Sequence, residues 1–211
     1  MFQLIKSIFF LIFGTIVITS CNNDNSKKDE AKCKYELDIK GLKNGEYKCY
    51  FNNGVLREKG YLKNDSVHIN ERCVYFSSGK IKEYKFYNII GKLRYVRHYN
   101  EQGKLLDEQG DFFSHIIVPS SKAKLGDSVI LDMYIANPPH CSFTVFGIDK
   151  NGSRYSLKLK NRSKVNFISK HIIQPNRVGT FVFMFEVDFI DSLTQKKETR
   201  KDKFVYEVGK K

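Results

Sequence analysis

The chain has no tryptophan and only four prolines among its 211 residues. It holds no Cys-x-x-Cys, and no two of its five histidines stand at i, i+2 or i, i+4 spacing, so no short-range zinc pair is present. Gly-x-Ser-x-Gly, the phosphate-binding P-loop and Gly-x-Gly-x-x-Gly are all missing, which removes the sequence signs of a serine hydrolase or a nucleotide-binding enzyme. The longest apolar run, Ser7 to Thr19, is too short to cross a bilayer as a helix, which takes about 20 residues. Acidic residues are outnumbered: 36 Lys+Arg stand against 23 Asp+Glu, a formal charge of +13. The charge is spread along the chain, as expected of a solvated, lysine-rich surface. An apolar fraction of 41 % excludes a wholly disordered protein.

Aromatic residues are plentiful, with 17 Phe and 12 Tyr, and glycines punctuate the chain. That composition suits β-structure. The pattern Tyr-x-x-x-Gly-x-(Leu/Ile) recurs as Tyr50-Gly54-Leu56, Tyr75-Gly79-Ile81, Tyr87-Gly91-Leu93 and Tyr99-Gly103-Leu105, with a degenerate copy at Leu62-Ser66-His68. A strand of about eight residues and a turn of about four make such a twelve-residue pulse. Gly54, Gly79, Gly91 and Gly103 are expected at the turns with positive φ, where a Cβ is disfavoured. The spacing predicts strands near 46–51, 55–62, 67–76, 80–87, 92–99 and 104–113, as an antiparallel meander. The tyrosines before the turns are expected to stack in columns.

The pulse stops near His115, and Pro119-Ser120-Ser121 marks a boundary. Val129, Leu131, Met133 and Ile135 then alternate with other residues, Asp149-Lys150-Asn151-Gly152 is a hairpin signal, and Phe181 to Phe189 has a clean period of two. About seven short strands over the last 95 or so residues predict an antiparallel sandwich. The fold class expected is therefore all-β: a β-meander of stacked hairpins, then a C-terminal β-sandwich. The domains expected are a signal peptide at 1–20, a flexible tether at 21–43, a repeat domain at 44–114 and a sandwich domain at 115–211.

Three resemblances accompany this reading. Lys6, the apolar run and Ile18-Thr19-Ser20-Cys21 resemble a bacterial signal peptide ending in a lipobox. This implies lipidation of Cys21 and a membrane anchor through that lipid. The polar stretch after it, with Lys28-Asp29-Glu30, resembles lipoproteins of the Bacteroidetes type and implies an outer-membrane lipoprotein, on the cell surface in preference to the periplasmic face. Gly45 to Asn64, with Tyr47, Tyr50, Asn53-Gly54, Leu56, Gly60 and Tyr61, resembles the MORN-variant repeat. That repeat is commonly labelled antitoxin, a label the fold alone does not carry to function. Pro175-x-x-x-Gly179-Thr180-Phe181 looks like the entry to a late strand of an immunoglobulin-like domain, without its Cys-Trp-Cys signature.

The function expected is a non-enzymatic envelope lipoprotein acting in binding, adhesion or assembly. The alternatives are an immunity or antitoxin-type protein that binds a toxin, and a glycan-binding accessory protein. No cofactor, metal or nucleic acid is expected; the partner is a protein or a glycan. The candidate binding surface is Tyr84, Tyr87, Arg94, Tyr95, Arg97 and Tyr99, where aromatic faces alternate with cations. The competing reading makes these tyrosines part of the sheet's own packing. His140-Cys141 is read as a loop His beside a strand Cys, and Glu186, Asp188 and Asp191 as a solvated strand end. With Cys21 given to lipid, Cys33, Cys49, Cys73 and Cys141 allow three full pairings. Buried free thiols are the leading expectation, and Cys49 and Cys73 are placed to sit on neighbouring rungs.

Overall fold

A computed structural model describes residues 32–118, 123–157, 167–173 and 176–210. The expected leader, Cys21 and Pro119 lie outside the described residues. Every described element is a strand, and the protein is all-β. Seven strands form one antiparallel meander in sequence order: β1 (Lys32–Leu37), β2 (Lys43–Tyr50), β3 (Leu56–Lys63), β4 (Val67–Tyr75), β5 (Ile81–Tyr87), β6 (Leu93–Tyr99) and β7 (Leu105–Gly110). The tether expected over 21–43 is shorter at its inner end, because Lys32–Leu37 pairs with β2 and enters the sheet.

The turns share one chemistry. In the turns after Asp38, Asn88 and Asn100 the Asx side chain accepts backbone N–H bonds two and four residues on. The glycine three residues on donates back to the Asx carbonyl. Gly54, Gly79, Gly91 and Gly103 sit at the third position after the turn's first residue, with φ of +81°, +82°, +84° and +86°. An L side chain is strained there, which is why the pulse carries glycine. The repeated Tyr pairs with the aliphatic residue beyond the turn: Tyr50 with Leu56, Tyr75 with Ile81, Tyr87 with Leu93 and Tyr99 with Leu105. The register shifts at each of these pairs, a bulge that sharpens the local twist.

Consecutive hairpins of a meander turn at opposite ends of the sheet. The turns at Gly54, Gly79 and Gly103 lie at one end; those at Gly41, Asn64-Asp65 and Gly91 lie at the other. The stacking in columns expected for Tyr50, Tyr75, Tyr87 and Tyr99 therefore does not unite all four: Tyr87 is at the end opposite the other three. It stacks instead on His68, with ring centroids 5.6 Å apart. Gly91 is also the most tightly placed of the four glycines. A Cβ there would lie 2.4 Å from Val67 Cγ1 and 3.3 Å from the His68 carbonyl, whereas nothing lies within 4 Å of one at Gly54. Gly54→Val is expected to cost about 1–2 kcal/mol for its left-handed backbone alone. Gly91→Val should cost clearly more, because it also drives two turns apart. Urea unfolding of the two variants orders them.

After Asp111-Phe112 the chain leaves this sheet. β8 (Phe113–Val118), β10 (Val129–Ile135) and β13 (Phe167–Ile173) form a three-stranded sheet. β12 (Arg154–Ser156), β11 (Cys141–Ile148), β14 (Gly179–Asp191), β15 (Lys196–Gly209) and the short β9 (Ala123–Lys124) form a five-stranded one, in that order. Alternation on β10 sends Val129, Leu131, Met133 and Ile135 inward, against Val145, Phe185, Val187 and Phe204 of the larger sheet. The two sheets thus share a sandwich-like core. That core does not end at the sandwich. It continues without a break into Cys73, Ile81, Tyr84, Phe86, Tyr95 and Tyr99 of the meander. Phe112 is the hub, with its ring edge-on to Tyr95 at 5.4 Å, Phe143 at 6.3 Å and Phe189 at 5.1 Å.

Candidate functional site

Strand alternation gives the meander two faces. One carries Lys59, Tyr61, Glu71, Cys73, Tyr84, Phe86, Tyr95 and Arg97; the other carries Tyr47, Glu58, Arg72, Glu83, His98 and Asp107.

Four of the six residues expected to form a binding surface are in the protein's interior. Tyr84, Tyr95, Arg97 and Tyr99 are each at most 2 % exposed, because the sandwich covers the first face over β4 to β7. They form a joint between two sheet systems and cannot present a surface. Arg97 is its centre. Its Nε donates to the Tyr95 hydroxyl at 2.7 Å, Nη1 to Asp191 at 2.7 Å and to Cys141 Sγ at 3.1 Å, and Nη2 to Glu108 at 2.6 Å. Asp191 is fully buried and also accepts from the Leu193 and Thr194 backbone. It is a buried partner of an arginine and not the solvated strand end expected of it. Glu186 and Asp188 pair with Arg154. Arg200 bonds both Glu108 and Glu198, and its guanidinium lies 4.9 Å from the Phe112 ring. Burial pushes the Glu108 carboxyl up, but Arg200 and Arg97 outweigh it and hold it below the usual range. Burial raises the Cys141 thiol to about 11 despite Arg97, so it is no ready nucleophile. Its neighbour His140 occupies a turn at φ +65°.

The remaining two, Tyr87 and Arg94, stay partly exposed. Arg94 pairs with Asp111 and donates to the Phe113 carbonyl at 3.3 Å. The structure therefore divides the expected surface instead of assembling it.

The other face of the meander is ordered by its own side chains around a small buried cluster of Tyr47, Cys49 and Leu62. Tyr47 donates to Glu58, Arg72 grips Glu58 with two bonds of 2.9 Å, and Glu83 is shared by Arg72, Lys85 and His98. Alongside runs a line of rings, Tyr35, Tyr47, His68 and Tyr87, with centroids 5.6–6.0 Å apart. The end pairs are stacked, so those rings turn their faces to each other.

Among the described residues, the carboxyl with a functional profile is Glu71, on the first face at the margin of the sandwich's cover. Glu46, Lys59, Gly60, Tyr61 and Cys73 line a pocket of about 240 Å³ with it. Gly60 makes the sheet thin here: a Cβ would touch Tyr47 and the Glu71 carbonyl at 3.0 Å. Burial raises Glu71 from its ordinary 4.5 to about 7, against the pull of Tyr84, the Asn137 backbone and Lys59. Tyr84 donates to Glu71 at 3.0 Å and accepts from the Asn137 backbone at 2.7 Å, so the pocket is wired to the sandwich. Burial and the nearby carboxylates of Glu46, Glu71 and Glu36 raise Tyr61 to about 12. Burial raises the Cys73 thiol to about 11. A carboxyl poised near neutrality beside an aromatic ring in a concave site can hold a cationic group or exchange a proton. Sequence reasoning passed over these residues because Glu71 reads as one more polar residue of an alternating strand. Its burial depends on the long-range approach of Tyr84 and the Asn137 backbone. Among the described residues, no group of three or more His, Cys, Asp or Glu is placed to hold a metal ion.

Cys33 and Cys49 form a disulfide between directly paired residues of β1 and β2, while Cys73 and Cys141 are free. Cys49 and Cys73 are not neighbours, because β3 lies between their strands. The chain matches no known protein family, and no curated protein is significantly similar to it.

Proposed function

We propose that the protein is an exported, lipid-anchored envelope protein without a catalytic role, whose repeat sheet is a binding module of the MORN-variant kind. The observation that carries this reading is the Cys33–Cys49 disulfide. Disulfides persist in exported proteins and are rare in the reducing cytoplasm. This one fastens the first strand of the sheet, close after the cysteine expected to carry lipid. The partner is a protein that presents a lysine or arginine to the pocket at Tyr61, where Glu71 supplies a carboxyl and the ring an aromatic wall, while Glu46 is already paired with Lys48 and Lys59 also lines the pocket. A glycan fits less well, because a sugar needs open ring faces, and the Tyr35–Tyr47 and His68–Tyr87 pairs are closed on themselves.

Two measurements test this. Cys21→Ala should abolish palmitate labelling in cells and release the protein from the membrane fraction; retained labelling would refute the anchor. A photo-crosslinking amino acid at Tyr61 should trap one discrete protein adduct on intact cells, reduced at least tenfold by Glu71→Lys. The same probe at the exposed Gln102 should trap none. Equal trapping at both positions, or at neither, would refute the binding site.

A further inference from the structure

The two ends of the meander differ in chemistry. At the end formed by the turns at Gly54, Gly79 and Gly103, the exposed turn tips are polar, Asn52-Asn53, Ser77-Ser78 and Glu101-Gln102, with Lys80, Lys104 and Leu106 exposed just beyond them. This is what a solvent-facing turn ordinarily carries. The opposite end carries an exposed isoleucine at two of its three turn tips, the middle tip being Asn64-Asp65-Ser66. Ile39 is fully exposed and Ile90 is 73 % exposed, each in the second or third place of its turn, with Leu37, Leu93 and Val67 behind them. Neither isoleucine is required by its turn, since those bonds come from Asp38, Asn88 and the glycines. The three turns of this end also touch. The Lys43 backbone donates to Asp65 at 2.7 Å and the Asp65 backbone to the Lys43 carbonyl at 3.0 Å. Val67 in turn fills the space beside Gly91. The row is thus one continuous edge. Lys40, Lys63 and Lys92 are exposed along it, while Asp38 and Asp65 are engaged with backbone N–H groups.

We infer that this edge is a membrane-contacting surface: the aliphatic tips enter the interfacial layer of a bilayer, and the lysines meet anionic headgroups. Aliphatic side chains flanked by lysines are the composition by which proteins lie on membranes without spanning them. The size of the edge argues for lipid over a protein. Three turns set two strand spacings apart make a row about 20 Å long. Such a row buries a few hundred Å² at most, against roughly 800 Å² per partner in a stable complex. Chain length is compatible with it. Lys32 begins at the polar end, where it pairs with Tyr50. Residues 22–31 separate it from Cys21, a reach of up to about 35 Å. That exceeds the roughly 20 Å run of β1 back to the tips. The inference rests on the envelope reading for its address alone; the contact itself is independent of lipidation.

The test uses the chain from residue 21 onward with Cys21→Ser, so that no lipid contributes. Flotation with vesicles of phosphatidylcholine and phosphatidylglycerol (3:1) should carry the protein upward. Pure phosphatidylcholine or 0.5 M salt should reduce the bound fraction strongly. Ile39→Ser/Ile90→Ser should weaken partition into the anionic vesicles at least tenfold, with an unchanged urea midpoint. Lys40→Glu/Lys92→Glu should do the same through charge, and Gln102→Ala at the opposite end should have no effect. No flotation of the parent chain, or flotation that survives both double variants, overturns the inference. A dimer that the isoleucine variants dissociate would also overturn it, by making the edge a contact between copies. Palmitate labelling at Cys21 judges the anchor separately, so failure of one is not failure of the other.

Discussion

Arg97→Met is expected to destabilise the protein by about 3–5 kcal/mol, the cost typical of removing one partner from a buried ion pair. Arg97 has no exposed side-chain surface, and neither has Asp191. The substitution fills much of the same volume, so packing loss is small and the penalty falls on what is left behind. Asp191 keeps its two backbone donors but loses its only cationic partner among the described residues. Glu108 retains Arg200, and the Tyr95 hydroxyl loses the guanidinium as a donor. Arg97→Lys should recover only part of the loss, since one ammonium cannot reach four acceptors arranged for a planar fork. Urea unfolding measures the loss. Combining Arg97→Met with Asp191→Asn should give less than the sum of the two single losses, because the second change removes the charge that the first left unpaired. Strict additivity would show that the pair does not bind meander to sandwich.

Glu71→Gln should stabilise the protein at pH 8 and do nothing near pH 4. The folded carboxyl titrates near 7 and the unfolded one near 4.5. Between those values the folded state holds the proton that the unfolded state has released, so stability contributed at this site falls as pH rises through the window. The full difference is about 3 kcal/mol at about 1.4 kcal/mol per pH unit. Glutamine removes the penalty and still accepts the Tyr84 hydroxyl. The gain should therefore appear above about pH 5 and level off above about pH 7, read as the difference in unfolding midpoint between variant and parent. Carboxyls held low by arginines, such as Glu58 and Glu108, act in the opposite direction in both proteins and cancel in that difference. A pH-independent gain would mean that Glu71 is charged throughout.

Local chemistry was what the sequence made legible. Strand positions followed from the pulse because each of its four glycine turns is closed by neighbours within five residues: the glycine N–H returns to the carbonyl of the turn's first residue, an Asn in two of the four and a Phe in the others. Asp38-x-x-Gly41 and Asp149-x-x-Gly152 use the same device. The Asx three residues before the glycine was the signal that would have found the first strand, hidden in an expected tether. The fate of the aromatic and basic residues was not legible, because it is settled by contacts across great sequence distance. Tyr95 and Tyr87 look alike in the chain, yet Phe112 and Phe189 close over one and leave the other near the surface. The same holds for Arg97 and Asp191, 94 residues apart. A strand pattern reports which residues share a face and is silent on which face will be covered.

Because successive hairpins alternate ends, the meander has a parity. Lengthening it by one strand and its turn would reverse the direction in which the chain leaves the sheet, so that residue 111 would depart from the wrong side to reach β8. It would also hand the next turn to the other end, mixing polar and aliphatic tips. Adding two strands avoids both effects. The smallest heritable increment of this protein is accordingly a pair of strands, about 24 residues. Viable length variants should differ by multiples of that pair.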